Sequence, residues 1–202
     1  MKAKDLRLDE IFKFSEGTLS IKGREVVLHS LHAFAQFRKD LIDSTELNHA
    51  RSILSRFGFF QGQADASLLI NNFKWDDKIE LIKAGCKLHS LEGISKDIIN
   101  KLEYDEQSGK FLMEVSWHDS KEASEHLFTF GKSSHPVCWI LAGYFSGFVS
   151  FAVKKEIYFI EKSCRAEEKP ICFAVGKDRN SWGEEINPYL KYFNASDIKL
   201  MI

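Results

Sequence analysis

The spacing of apolar and polar positions changes several times along the chain, and each change marks an element. Residues 11–28 carry short apolar runs, Ile11-Phe-Lys-Phe14 and Leu19-Ser-Ile21, broken by Ser15-Glu-Gly17 and Lys22-Gly-Arg24. These predict a small strand region turning at Gly17 and Gly23. From Val26 to Ile42 the spacing becomes helical, with Leu31, Phe34, Ala35, Phe37, Leu41 and Ile42 recurring at three- and four-residue steps. A second helical segment opens near Thr45, carries Ala50, Ile53, Leu54 and Phe57, and reaches Arg56-Phe-Gly58-Phe-Phe-Gln-Gly62, then Asp65-Ala66. The spaced glycines relieve crowding where that helix crosses another. Trp75-Asp-Asp-Lys78 leads into a third, running through Ile79, Leu81 and Ile82 to Leu88-His89.

The second half reads as a hairpin followed by alternating elements. Ile94–Tyr104 and Lys110–Trp117 flank the turn-rich Asp105–Gly109, and Phe111–Trp117 alternates as a strand. Ser120 suits the N-cap of a following helix, which Gly131 ends. Pro136–Val153 carries no charge and precedes Lys154-Lys155, so a membrane span is one reading. The run sits at the short limit for a span and contains Ser146, Ser150, Gly143 and Gly147, so a buried helix accounts for it better. Ser133 or Ser134 would cap that helix, with Pro136 in its first turn. Gly143 and Gly147 share a face and admit either a neighbouring backbone or a ligand. Glu156–Glu161 is strand-like, and a polar segment with Trp182 ends in the apolar Tyr189–Phe193. Together these elements predict an α+β fold with helices packed on an antiparallel sheet. No internal repeat, low-complexity tract or linker forces a domain boundary.

Composition narrows the function classes. With 28 basic and 29 acidic residues among 202, the net charge is −1. That balance gives no basic face for nucleic acid and no acidic tail. The start, Met1-Lys-Ala-Lys-Asp-Leu-Arg7, lacks the apolar core of a signal peptide, and the four cysteines then suit a reducing cytoplasm.

Three of those cysteines, Cys138, Cys164 and Cys172, fall one donor short of a tetrahedral thiolate site. Glu161, three residues before Cys164, and His135, three residues before Cys138, compete for the fourth position. Three unlinked core thiols are the plain alternative.

His135-Pro136-Val137-Cys138-Trp139, Gly143-Tyr144, Gly147, Glu161-x-x-Cys164-Arg165, Cys172 and Val175-Gly176-Lys177 resemble the 4-vinyl-reductase domain, in the version found in sensor domains of sigma-54-dependent activators of phenol and toluene catabolism. Phe37-Arg-Lys-Asp-Leu-Ile42 and the Arg56–Ala66 segment resemble the amino-terminal half of the same sensors. The resemblance spans about Phe14 to Trp182. It implies a structural zinc held by Cys138, Glu161, Cys164 and Cys172, which favours Glu161 over His135.

The resemblance also assigns a pocket. Ala84-Gly85-Cys86-Lys87-Leu88-His89-x-Leu91-x-Gly93 is similar to the segment bearing the pocket histidine, and Trp117-x-Asp119-Ser120 to that bearing the pocket tryptophan. Without it, each residue reads as structural: a buried histidine has a local partner, and a tryptophan supplies core area. Taken together, they imply a site gripping a phenolic hydroxyl between imidazole and indole, walled by Ile82, Val115, Tyr144, Phe148 and Phe159. Val115 and Phe159 depart from the bulkier or hydroxylated residues of phenol sensors, which bears on ring substituents more than on the hydroxyl.

The implied organisation is an N-terminal dimerisation region over 1–45, a sensing domain over 46–190 whose zinc-binding part covers about 120–178, and the start of a linker or tail over 191–202. The implied function is binding of phenol or a related monoaromatic effector by a homodimer, relieving repression of a downstream sigma-54-contacting ATPase. That ATPase and its DNA reader do not fit after Ile202, so the chain is expected to be an excised sensor or a stand-alone relative. A stand-alone carrier or adaptor for a larger apolar ligand is the alternative. A zinc enzyme is a further one, requiring Glu161 to leave a position open for water. No Gly-x-Ser-x-Gly, Walker loop or His-Glu-x-x-His supports catalysis.

Overall fold

The computed structural model of the chain describes residues 1–193, so positions 194–202 of the expected linker lie outside the described residues. After a 3-10 turn at Ala3–Asp5 come α1 (Leu8–Ile11) and an antiparallel meander of β1 (Phe12–Ser15), β2 (Thr18–Ile21) and β3 (Arg24–Val26). Gly17 and Gly23 make its turns with φ of 73° and 84°. Three helices follow: α2 (Leu31–Ser44), α3 (Leu47–Asn72) and α4 (Lys78–Leu91). The helix expected from Val26 starts later because Val26 ends β3, paired with Leu19, and the Ser30 hydroxyl accepts the Ala33 N–H at 3.2 Å.

The second half alternates strands and helices: β4 (Lys96–Tyr104), β5 (Phe111–His118), α5 (Lys121–Phe130), α6 (Trp139–Val153), β6 (Ile157–Ser163), β7 (Cys172–Asp178), α7 (Arg179–Trp182) and α8 (Asn187–Phe193). The four strands form an antiparallel sheet in the order β4-β5-β7-β6. The α+β expectation is therefore met. Phe111, Met113, Val115 and Trp117 of β5 are all buried, as a half-covered strand requires, and join the core formed with α3, α4 and α6. A smaller cluster of Tyr158, Ile160, Trp182, Ile186, Tyr192 and Phe193 seats α7 and α8.

The core is organised by a backbone-to-backbone crossing of α3 and α6. A Cβ at Gly58 would stand 2.1 Å from the Ile140 carbonyl oxygen, and one at Gly62 2.1 Å from that of Tyr144. From α6, a Cβ at Gly143 would stand 2.0 Å from the Ser55 carbonyl oxygen, and one at Gly147 2.0 Å from that of Phe59. These four glycines thus admit a helix backbone rather than a ligand. The α6 segment is apolar because it is buried all round, and no helix among the described residues is long and apolar enough to cross a membrane.

The start of α6 departs from the sequence reading. Pro136 precedes the helix, and the Ser133 hydroxyl donates to the His135 carbonyl instead of capping. The leading N–H groups find carboxylates from elsewhere in the chain, a distant arrangement that local spacing does not reveal.

Alanine at Gly62 or Gly143 must separate two backbones. The expected loss is about 1–3 kcal/mol, or about 2–4 °C of Tm per kcal/mol in a chain of this size. Thermal unfolding of each variant measures it, and an unchanged Tm would contradict the close crossing.

Candidate functional site

Cys138 sits at the N-cap of α6, Glu161 near the end of β6, Cys164 just beyond it, and Cys172 at the start of β7. All four are buried, and one donor atom from each falls within 4.8 Å of the others. The Sγ atoms of Cys138 and Cys172 are 3.6 Å apart, those of Cys172 and Cys164 3.8 Å, and those of Cys138 and Cys164 3.9 Å. A tetrahedral ion about 2.3 Å from each sulfur sets sulfurs about 3.8 Å apart. Glu161 Oε2 accepts the Cys138 N–H at 2.9 Å, whereas its Oε1 is buried without a partner. The donor set and that orphaned oxygen fit a metal ion. His135 lies outside this cluster, its ring parallel to Trp139 at 6.2 Å.

Charge supports the same reading. Burial pushes the Glu161 carboxyl well up, with the Cys164 thiol adding to the effect, and burial likewise raises Cys138. Hydrogen bonds from Cys138 and Cys164 bring Cys172 down to about 5. Four acidic groups this close cannot all ionise beside one another, and a central cation removes that obstacle.

Cys138 is held from behind by a buried network that sequence reasoning missed. Glu122 of α5 accepts the N–H groups of Ile140 and Leu141 at 3.1 and 2.9 Å. Arg38 of α2 lies 3.7 Å from Glu122, donates to the Val137 carbonyl at 2.8 Å, and stands 4.9 Å over the Trp139 ring. It also lies 3.2 Å from Nδ1 of His126, whose pKa burial lowers to about 4, so that imidazole accepts as a neutral ring. Burial raises Glu122 to about 7, with Arg38 opposing. Nothing in Phe37-Arg-Lys-Asp distinguishes Arg38 from its exposed neighbours.

The aromatic cluster lies on the adjoining part of the sheet. Ile82, Gly85 and His89 occupy one face of α4, and all are buried. His89 Nδ1 is 2.7 Å from Asp97 Oδ2, whose other oxygen accepts from Ser95 Oγ at 2.6 Å. The carboxylate holds the imidazole with its proton on Nδ1, which leaves Nε2 as an acceptor. Nε2 is buried and has no partner, and the same is true of Trp117 Nε1. Trp117 stands directly across the β4–β5 ladder from Asp97 and across the β5–β7 ladder from Cys172. The indole therefore shares a row with the histidine's carboxylate and a cluster thiol.

One ring joins the two orphaned groups. Phe145 lies 5.7 Å from His89, 5.6 Å from Trp117 and 5.4 Å from Phe159, centroid to centroid. Tyr144 stacks on His89 at 3.9 Å, and Phe148 stacks on Tyr144 at 6.0 Å. Phe148 fills the space over Gly85 and Phe159 that over Gly176, where added Cβ atoms would meet the rings at 2.2 and 2.3 Å. Val115, wholly buried, pairs between Ile99 and Ala174. Asp97 and Phe145 escaped sequence reading: the first sits in the polar-looking Lys96-Asp97, and the second is one of several aromatics in an unbroken apolar run.

Buried thiolates, an aromatic wall and two unmet polar atoms define a ligand-holding regulatory module rather than a groove open to macromolecules. Residues 5–105 match the family model described as activator of aromatic catabolism, and residues 113–180 match that of the 4-vinyl-reductase domain. The chain belongs to the activator-of-aromatic-catabolism family. It is 29% identical over 194 residues to the transcriptional regulatory protein XylR of Pseudomonas putida, covering 96% of this chain and 34% of that protein. It is also 29% identical over 176 residues to the phenol regulator MopR of Acinetobacter guillouiae, covering 87% and 31%. The chain thus spans about a third of the length of these relatives. The phenol-responsive sensory domain of the transcription activator PoxR, crystallised with phenol, superposes with a TM-score of 0.87 at 27% identity, over 93% of this chain and 94% of that one.

Glu122 gives the site a pH signature. Its folded pKa, raised from 4.5 to about 7, means its contribution is full below about 4.5 and is lost as pH rises through about 7. Tm is expected to fall between pH 5 and 8, and Glu122→Gln to flatten that slope. Equal slopes in variant and parent would contradict the assignment.

Proposed function

We propose that this chain is the effector-sensing domain of a transcriptional activator and binds phenol or a closely related monoaromatic alcohol. The observation that carries the reading is the pair of buried, unpartnered polar atoms, His89 Nε2 and Trp117 Nε1, on rings that both pack against Phe145. A phenol hydroxyl supplies what each lacks: its proton goes to the imidazole nitrogen, and its oxygen accepts from the indole. Each unmet group costs about 1–3 kcal/mol, so phenol is preferred over toluene. Phenol's few heavy atoms yield at most about 1.5 kcal/mol each, which requires near-complete enclosure by Ile82, Val115, Tyr144, Phe148 and Phe159. The regulators and sensory domain similar to this chain support the same ligand class.

The thiol cluster is read as a structural zinc site of Cys138, Glu161, Cys164 and Cys172, since three thiolates and one carboxylate suit zinc. Four protein donors leave no position for water, so the site joins the start of α6 to β6 and β7 and performs no catalysis. The same ion serves repressed and active arrangements, and phenol biases them by binding the active one better. The output is relief of a downstream sigma-54-interacting ATPase. Residues 1–45 serve dimerisation, a role supported by Phe14, Val27 and Leu28, each 76% exposed. Residues 46–190 form the sensing unit, without direct nucleic-acid contact, and the reduced thiols suit the cytoplasm.

Two outcomes test this reading. His89→Ala is expected to stay folded and to lose phenol affinity at least about tenfold by calorimetric titration, with toluene little affected; unchanged phenol affinity would contradict it. Cys164→Ser is expected to lose zinc by elemental analysis and to unfold or aggregate. A soluble, metal-free variant with parental melting would contradict the zinc role.

A further inference from the structure

The Asp65-Ala66 pair stands out in the sequence without a chemical role there. Asp65 lies on the buried side of α3 and is wholly inaccessible, although it is a charged group. Its two oxygens go in different directions. Oδ2 accepts the Tyr144 hydroxyl at 3.0 Å, and Oδ1 forms an ion pair with Arg24, the first residue of β3, whose side chain is 30% exposed. Tyr144 is the residue whose ring stacks on His89 at 3.9 Å. A continuous path of one stack, one hydrogen bond and one ion pair therefore runs from the orphaned imidazole to the N-terminal meander. We propose that Asp65 is a positioning residue that sets the Tyr144 ring on His89 and, through Arg24, ties effector occupancy to the order of the β1–β3 meander. This inference rests on the phenol-sensing reading above.

The meander is suited to respond. Most of its side chains are exposed, and its anchorage in the core comes from Ile21, with Phe12 and Val26 packed at the edge. An element with so little buried surface opens locally at small cost, so one buried ion pair weighs heavily in its order. The surroundings keep Asp65 dependent on these two partners. Its neighbour Glu92 accepts from Gln61 Nε2 at 2.7 Å, and burial together with the Asp65 charge pushes the Glu92 carboxyl well up. A protonated Glu92 adds no competing anion for Arg24. A buried carboxylate that loses one donor is strongly penalised, so a shift of the Tyr144 ring is passed to Asp65 rather than absorbed.

Binding linkage is reciprocal, so cutting the far end of the path must be felt at the pocket. Arg24→Ala, on the surface meander, is expected to weaken phenol binding about fivefold or more, and to have little further effect once Tyr144→Phe has removed the hydroxyl. Calorimetric titration of the parent, both single variants and the double variant gives the cycle. Independent, multiplying effects, or an Arg24→Ala protein that binds as the parent does, would overturn the tie. Should Arg24→Ala fail to fold, hydrogen exchange replaces it. Phenol is expected to slow exchange across residues 12–26 of the parent and to leave it unchanged in Tyr144→Phe, and equal protection in both overturns the proposal. A parent that binds phenol but fails these comparisons overturns the tie alone, whereas a parent that binds no phenol removes the functional reading and the tie together.

Discussion

The structure depends on two helix backbones touching. The glycines of α3 and α6 interlock with each other's carbonyls, and this contact fixes where α6 lies over the sheet. Because α6 begins at Cys138 and carries Tyr144, Phe145 and Phe148, its placement sets both the thiol cluster and the aromatic cluster at once. Close-packed interiors tolerate little displacement, so a shift at the crossing would reach both sites.

Both sites draw on one sheet. Asp97, Trp117 and Cys172 occupy a single row across β4, β5 and β7, and Ile99, Val115, Ala174 and Glu161 occupy the next. The thiol cluster terminates one end of those rows with ligands on rigid elements, while His89 and its carboxylate close the other. Such a site is preorganised: its polar atoms stand in place with their tautomer set by a fixed neighbour. Two buried polar atoms left unmet on adjoining rings are costly, and protein interiors keep few of them. That cost makes sense in a sensor, where the ligand recovers it.

Much of this was legible from residue pattern. Ser120 and Gly131 bound α5 as their chemistry requires, Gly17 and Gly23 turn the meander, and the alternation of Phe111–Trp117 gives β5. The thiols and Glu161 were legible because few residue types ligate soft metals, and the structure brings those four together. The start of α6 was not, because its acceptors, Glu122 and Glu161, come from residues distant in sequence and local capping rules cannot see them. Asp97 was hidden for a similar reason: its importance comes from strand register, which sets it opposite Trp117, and not from its neighbours in the chain. Phe145 was one aromatic among many in an apolar run, and the geometry that singles it out is three-dimensional.

The central claim is that one hydroxyl satisfies both His89 Nε2 and Trp117 Nε1. Nitrogen-15 resonance spectroscopy of labelled protein observes those two atoms directly. On this account phenol moves the Trp117 indole N–H signal into the hydrogen-bonded range and shifts His89 Nε2 together with it, while toluene at matched occupancy moves neither comparably. Phenol binding that leaves both nitrogens where they were, or toluene producing the same shifts, would contradict it.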